Sequence, residues 1–217
     1  MKNKKAILVM WVLALLPFAM IALCWDKLPG RVPIHWGING EADNWASPAA
    51  LWGLVVTGPV LALLFQFLPR LDPKWRNYEK FQGWYDFFGA FMPLIMVVVT
   101  AITLSETLSP GRLQVSRVVS FVVAVIFLIV GNMMGKVKPN WFMGFRTPWA
   151  LSDPDVWNRT QRMGGWVFFL SGILLLISVF TAPAPVMFTA FFTVLMGGII
   201  ATYVMSWKWF RDKNREE

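Results

Sequence analysis

Residues 115–160 read VSRVVSFVVAVIFLIVGNMMGKVKPNWFMGFRTPWALSDPDVWNRT. Up to Met134 the only polar side chains are Ser116, Arg117, Ser120 and Asn132. As an α-helix rising about 1.5 Å per residue, such a run covers the roughly 30 Å of hydrocarbon in a bilayer. The remainder reverses character at once. Residues 136–160 hold three tryptophans, three prolines, both charge signs and the run Arg146-Thr147-Pro148-Trp149. A membrane span that stops at a polar island punctuated by Pro and Gly decides the fold class, and the rest of the chain repeats the pattern.

Of 217 residues, 57% are hydrophobic and 15% charged, against about 25% charged in soluble domains. Six apolar segments are long enough to span, at about 6–25, 49–69, 84–104, 115–134, 164–182 and 184–206. Only helices satisfy the backbone within such segments. Pro183 and Pro185 lie in the short connection between the last two and suit a tight helical hairpin. The first segment follows Lys2, Lys4 and Lys5 but has no small-x-small cleavage site. Leu23 is too bulky for a lipobox ending at Cys24, so the segment reads as a retained anchor. With one cysteine no internal disulfide forms.

The net charge is +8, and its distribution speaks for membrane orientation rather than nucleic acid. Lys2, Lys4, Lys5, Arg70, Lys74, Arg76, Lys80, Lys136, Lys138, Arg146, Arg159, Arg162, Lys208, Arg211, Lys213 and Arg215 fall on one side of the predicted spans. Lys27, Arg31, Arg112 and Arg117 fall on the other. Sixteen against four predicts both termini in the cytoplasm. The expected fold is an all-α integral membrane protein, a bundle of six transmembrane helices, N-in and C-in. Trp11, Trp25, Trp52, Trp84, Trp166, Trp207 and Trp209 lie near span ends and are expected as interfacial anchors.

Two polar islands stand out. The first, within 26–48, faces outward and reads as a turn-rich loop, with Asn39-Gly40 supplying a turn. It holds His35, the sole histidine, followed by Glu41 and Asp43. That set lacks the spacing of a defined metal motif, and packing of His35 and Trp36 at the membrane surface is the better reading. The second island, 135–163, is cytoplasmic. Pro139 stops the fourth helix. Ser152 with Asp155 three residues on reads as a helix N-cap, with Asp153 adding negative charge at the same end. The Arg146 guanidinium has five donors, suited to tying loop carbonyls, holding a carboxylate or gripping phosphate. No ionisable group lies at a predicted midplane, which argues against a pump or secondary transporter. No catalytic triad, HExxH, CxxC or phosphate loop is present, so no enzyme, catalytic residue, metal site or cofactor is expected.

The two islands together resemble the SdpI family of bacterial membrane proteins. Gly131-Asn132 through Asn140, then Gly144, Arg146, Thr147, Pro148 and Trp149, then Trp157 and Gly164-Gly165, are similar to the family signature. The outer loop, with Pro29, Pro33, His35, Trp36, Gly40 and Asp43, resembles a small domain of unknown function that often precedes it. Gln161 departs from the pattern, standing where many relatives carry histidine. The resemblance implies a two-helix N-terminal region, 1–70, and a four-helix SdpI-like region, 71–217. It implies a multi-pass protein of the bacterial cytoplasmic membrane that confers immunity to a secreted peptide toxin met on the outer face. It further implies signalling, by holding an ArsR-type repressor on the cytoplasmic face. Membrane lipid is the remaining expected partner, and no direct contact with nucleic acid is expected. A transporter or channel, or a lipid-binding envelope factor, is the competing reading.

Overall fold

The computed structural model describes residues 3–216. Lys2, counted above among the basic N-terminal residues, lies outside them. In chain order the elements are α1 (Lys4–Cys24), β1 (Val32–Trp36), β2 (Ala42–Ala46), α2 (Ala50–Leu71), α3 (Gln82–Leu108), α4 (Val115–Met134), α5 (Pro148–Ser152), α6 (Pro154–Thr181) and α7 (Ala184–Glu216), with 3₁₀ turns at Trp25–Lys27 and Trp75–Phe81. All but α5 of these helices, six in number, are long and apolar enough to cross a membrane. The expected spans are present, but several helices outrun them. The helix expected around Val156 and the fifth span are one continuous α6, and α7 carries the sixth span through the basic tail.

The chain divides into two compact units, one of residues 1–71 and 82–118, the other of 72–81 and 119–217. In the first, α1 packs on both α2 and α3. Met10, Ala14, Ile21, Leu51, Val55 and Ala62 form its buried layer. Gly58 lets α2 approach α1, since a Cβ there would stand 2.8 Å from the Ala14 carbonyl oxygen. Trp11 donates to the Gln66 side-chain oxygen at 3.1 Å, so its indole N–H serves the α1–α2 pair and not the lipid interface.

The island at 26–48 folds as an antiparallel β-hairpin instead of an irregular loop. Val32 pairs with Ala46, Pro33 with Trp45, His35 with Asn44 and Trp36 with Ala42, with irregular register between. Val32, fully buried, packs with Ile21, Leu51, Val55 and Leu104 and so pins the hairpin to the helix ends. Gly37 donates to the Glu41 carbonyl at 2.9 Å, and Gly40 closes the turn on the Gly37 carbonyl at 2.8 Å. Gly40 has φ +83°, and a Cβ there would press on the Ser116 backbone nitrogen at 2.9 Å, which explains glycine twice over.

In the second unit α6 and α7 form a hairpin around Leu175, Val179, Met187, Phe191 and Leu195, with Ala124 of α4. Small residues bring α4 and α6 to backbone contact. A Cβ on Gly165 would stand 2.8 Å from the Gly131 carbonyl oxygen, and one on Gly172 would stand 3.1 Å from that of Ala124. Gly198 seats Val167, whereas neighbouring Gly197 faces open space.

One repair inside α2 is diagnostic. Pro69 has no N–H, so the Phe65 carbonyl four residues earlier loses its helical partner. The Tyr85 hydroxyl, fully buried, donates to that carbonyl at 2.6 Å. Tyr85→Phe is therefore expected to destabilise the protein by about 1–3 kcal/mol, the range for an orphaned buried acceptor. In a Pro69→Ala background a new backbone N–H replaces the hydroxyl, and the same change should have little effect. Thermal unfolding of the four variants in detergent measures this coupling.

Candidate functional site: the folded cap at 136–161

The second island leaves α4 at Met134 and folds into a cap. The Asn140 carboxamide, fully buried, organises its first turn. Its oxygen accepts from the N–H groups of Phe142 at 2.8 Å and Met143 at 2.6 Å. Its nitrogen donates to the carbonyls of Lys138 at 2.9 Å and Met143 at 3.2 Å. An Asx turn is the ordinary local habit of this side chain, and here both ends of the amide are used.

Gly144 follows with φ +91°. A Cβ there would collide with the Gln161 carboxamide. Gln161, buried on α6, accepts from the Phe145 N–H at 3.0 Å and donates to the Phe145 carbonyl at 2.7 Å. The Phe145 ring lies where any Cβ on Gly164 would be, and packs edge-on to Phe168 at 5.9 Å and Tyr203 at 6.4 Å. Gln161 and Gly164, three residues apart on one helix face, thus grip a peptide and seat its side chain.

Thr147 then caps α5, its hydroxyl accepting from the Ala150 N–H at 3.0 Å, with Pro148 at the first helical position. The same hydroxyl lies 2.6 Å from that of Ser206 on α7, which also accepts from Thr160 at 3.0 Å. The expected N-cap at Ser152 is not formed. Its hydroxyl donates back to the Pro148 carbonyl at 2.7 Å, and Asp153 caps α6 through the N–H groups of Asp155 and Val156. Pro154 fixes this choice, because proline fits the first position of a helix and the residue before it stays extended. Trp157, fully buried, donates its indole N–H to the Val137 carbonyl at 2.9 Å.

Residues 72–81 clamp the cap from beside it, and sequence reading did not single them out. Asp72, almost fully buried, accepts from its own neighbours Lys74 N–H at 2.7 Å and Tyr78 hydroxyl at 2.8 Å, and from the distant Trp141 N–H at 2.9 Å. The Asn77 amide donates to the Pro139 carbonyl at 2.8 Å, and Lys74 reaches the Leu151 carbonyl at 3.3 Å. Asp before Pro73 is a visible turn signal, but nothing local announces the reach to Trp141.

Arg146 is exposed and ties one carbonyl, that of Trp141, at 2.8 Å. It lines an open cleft of about 400 Å³ with Trp141, Gly144, Phe145, Leu151 and Tyr203. Trp149 is half-buried on α5. Asn132 takes no part in this knot and lines a separate cleft described below. In the first unit Pro33 and Trp36 lie in β1, Pro29 is exposed before it, and His35 Nδ1 pairs with Asp43 at 2.6 Å across the hairpin. Among the described residues no three His, Cys, Asp or Glu groups gather to hold a metal.

Lys213 of α7 bonds the carboxylates of Asp153 at 2.7 Å and Asp155 at 3.0 Å, joining the tail of α7 to the start of α6. The Lys213 ammonium, with the Val156 N–H next, holds the Asp153 carboxyl below the usual carboxylate range. Its stabilising contribution is complete above that range and is lost as pH falls through the depressed pKa. Asp153→Asn keeps the cap acceptor but not the charge. Its melting temperature in detergent is expected below wild type at pH 7, with the gap closing in acid below the ordinary carboxylate pKa.

Comparison with known proteins agrees with this anatomy. Over 203 residues the chain is 22% identical to "Immunity protein SdpI" of Bacillus subtilis (strain 168), covering 94% of this chain and 95% of the relative. No solved structure matches the chain. Residues 136–206, the cap and the helices that hold it, match the SdpI/YfhL protein family, and residues 12–58 match the domain of unknown function DUF1648, so the resemblance to the SdpI family extends to both islands of the chain.

Proposed function

We propose that this protein is a multi-pass membrane immunity protein of a bacterial cytoplasmic membrane, protecting its cell from a secreted peptide toxin. The observation that carries the reading is the end-to-end match to an immunity protein. The proposed orientation, N-in and C-in, rests on the sixteen-to-four distribution of Lys and Arg. It places the β-hairpin outside, where a toxin arrives, and the cap in the cytoplasm.

The cap is built for recognition rather than reaction. The Thr147, Thr160 and Ser206 hydroxyls bond one another and a backbone N–H, an arrangement of structural contacts. What the cap offers to a partner is a held surface with Trp141, Phe142 and Arg146 exposed. A cytoplasmic repressor of the ArsR type is the proposed partner there, retained at the membrane when toxin is present. On this reading the protein is not an enzyme, and its signal is a change in what the cap binds.

Expression in a sensitive bacterium challenged with the killing peptide should raise survival by orders of magnitude over an empty vector. Unchanged killing, with the protein present in the membrane, would remove the immunity reading. Orientation has its own readout. In a Cys24→Ser background, Ile38→Cys should react with a membrane-impermeant maleimide in intact cells. Ser152→Cys should react only after permeabilisation. The reverse pattern inverts the proposed topology.

A further inference from the structure

The second cleft lies between α4 and α6, lined by Asn132, Gly135, Arg162, Gly165 and Trp166 with Phe169 at its side. Glycines make it. The backbone contact of Gly131 with Gly165 leaves no side chain to fill the groove, and the Arg162 stem lies 3.6 Å from where a Cβ on Gly135 would be. The space is about 200 Å³, below the roughly 300–1,000 Å³ of ordinary small-molecule sites, so it suits one compact group.

Its chemistry points one way. No acidic side chain lines the cleft. Among the described residues neither the Arg162 nor the Asn132 side chain has a hydrogen-bond or ion-pair partner. A planar guanidinium with five donors beside a free carboxamide and an indole matches phosphate oxygens. Trp166 is 62% exposed. From it an apolar stripe continues along α6 through Leu170 and Ile177, both more than half exposed. Spacings of four and seven residues keep these side chains on one helix face. A cationic pocket that opens onto an apolar stripe has the shape of an amphiphile.

We infer that this cleft is a binding site for the phosphodiester headgroup of an anionic phospholipid, with Arg162 and Asn132 donating to phosphate and an acyl chain lying along Trp166, Leu170 and Ile177. Basic pockets between membrane helices are a known setting for such headgroups. The site adds a specific lipid to a protein otherwise read through peptide and protein partners, and it stands whether or not the immunity reading does.

Native mass spectrometry of the delipidated full chain, titrated with phosphatidylglycerol, tests it. Wild type should retain phosphatidylglycerol over phosphatidylcholine. Arg162→Ala should weaken retention about tenfold, as loss of a charge-assisted hydrogen bond does, and Arg162→Lys should fall between because it keeps charge without the planar fork. Arg159→Ala, exposed on the same helix but outside the cleft, should match wild type. Equal losses in the Arg159 and Arg162 variants would mean diffuse charge attraction and overturn the site. Displacement of the lipid by submillimolar inorganic phosphate would overturn the lipid assignment in favour of a free anion. Should Arg162→Ala fail to fold, the Arg162→Lys and Asn132→Ala variants give the same comparison.

Discussion

Two hydrogen bonds join the Gln161 carboxamide to the N–H and C=O of Phe145, and the geometry of the cap is set from them. A carboxamide carries one donor edge and one acceptor, so it pairs with a peptide as a neighbouring strand would. Because Gln161 stands on a long helix, the peptide it holds is fixed relative to that helix. Gly144 must then lack a side chain, Phe145 must drop over Gly164, and Thr147 arrives beside Ser206. An imidazole, which many relatives are expected to carry at this position, points its two nitrogens to different sides of the ring and cannot close the same pair of bonds on one residue's N–H and C=O. This chain holds the loop with a group that does not titrate.

Backbone accounting explains much of the rest. Stray carbonyls have no water to turn to in hydrocarbon or where a loop is buried in protein, so each such departure from helix needs a named partner. Tyr85 supplies one where Pro69 removes a helical bond. In the cap, Asn77 answers Pro139, Trp157 answers Val137 and Lys74 answers the end of α5. In the loop after α3, Glu106 accepts from the Gly111 and Leu113 N–H groups at 2.9 and 2.7 Å.

The six long helices were legible because apolar runs of spanning length admit no other structure. Their ends were less so. Lys and Arg are good helix formers, so α7 continues through a tail whose charge looks like an exit. The hairpin was hidden because prolines and glycines dominate 28–40, and only the register of Val32 and Trp36 against Ala46 and Ala42 reveals strands. Within the cap, Asn140, Gly144, Thr147 and Trp157 were found from the resemblance, and the structure gives each a separate physical task. Asp72 was not found. Its bond to Trp141 spans 69 residues and leaves no periodic trace. Arg146 was read as able to tie carbonyls, and it ties one, leaving its face open.

The length of α7 bears on how anything could reach that face. Its 33 residues extend about 50 Å, whereas hydrocarbon occupies about 30 Å. Ser206, which anchors Thr147, comes about 33 Å along it, near where the acyl region ends and the headgroups begin. On the proposed topology the cap lies in the polar layer of the bilayer instead of projecting beyond it. On the same proposal, a soluble partner docking on Arg146 grazes the lipid surface as it binds, so its own affinity for that surface becomes part of the association. Once adsorbed, such a partner would search for the cap in two dimensions, and local crowding of the membrane would govern capture as much as its concentration in solution.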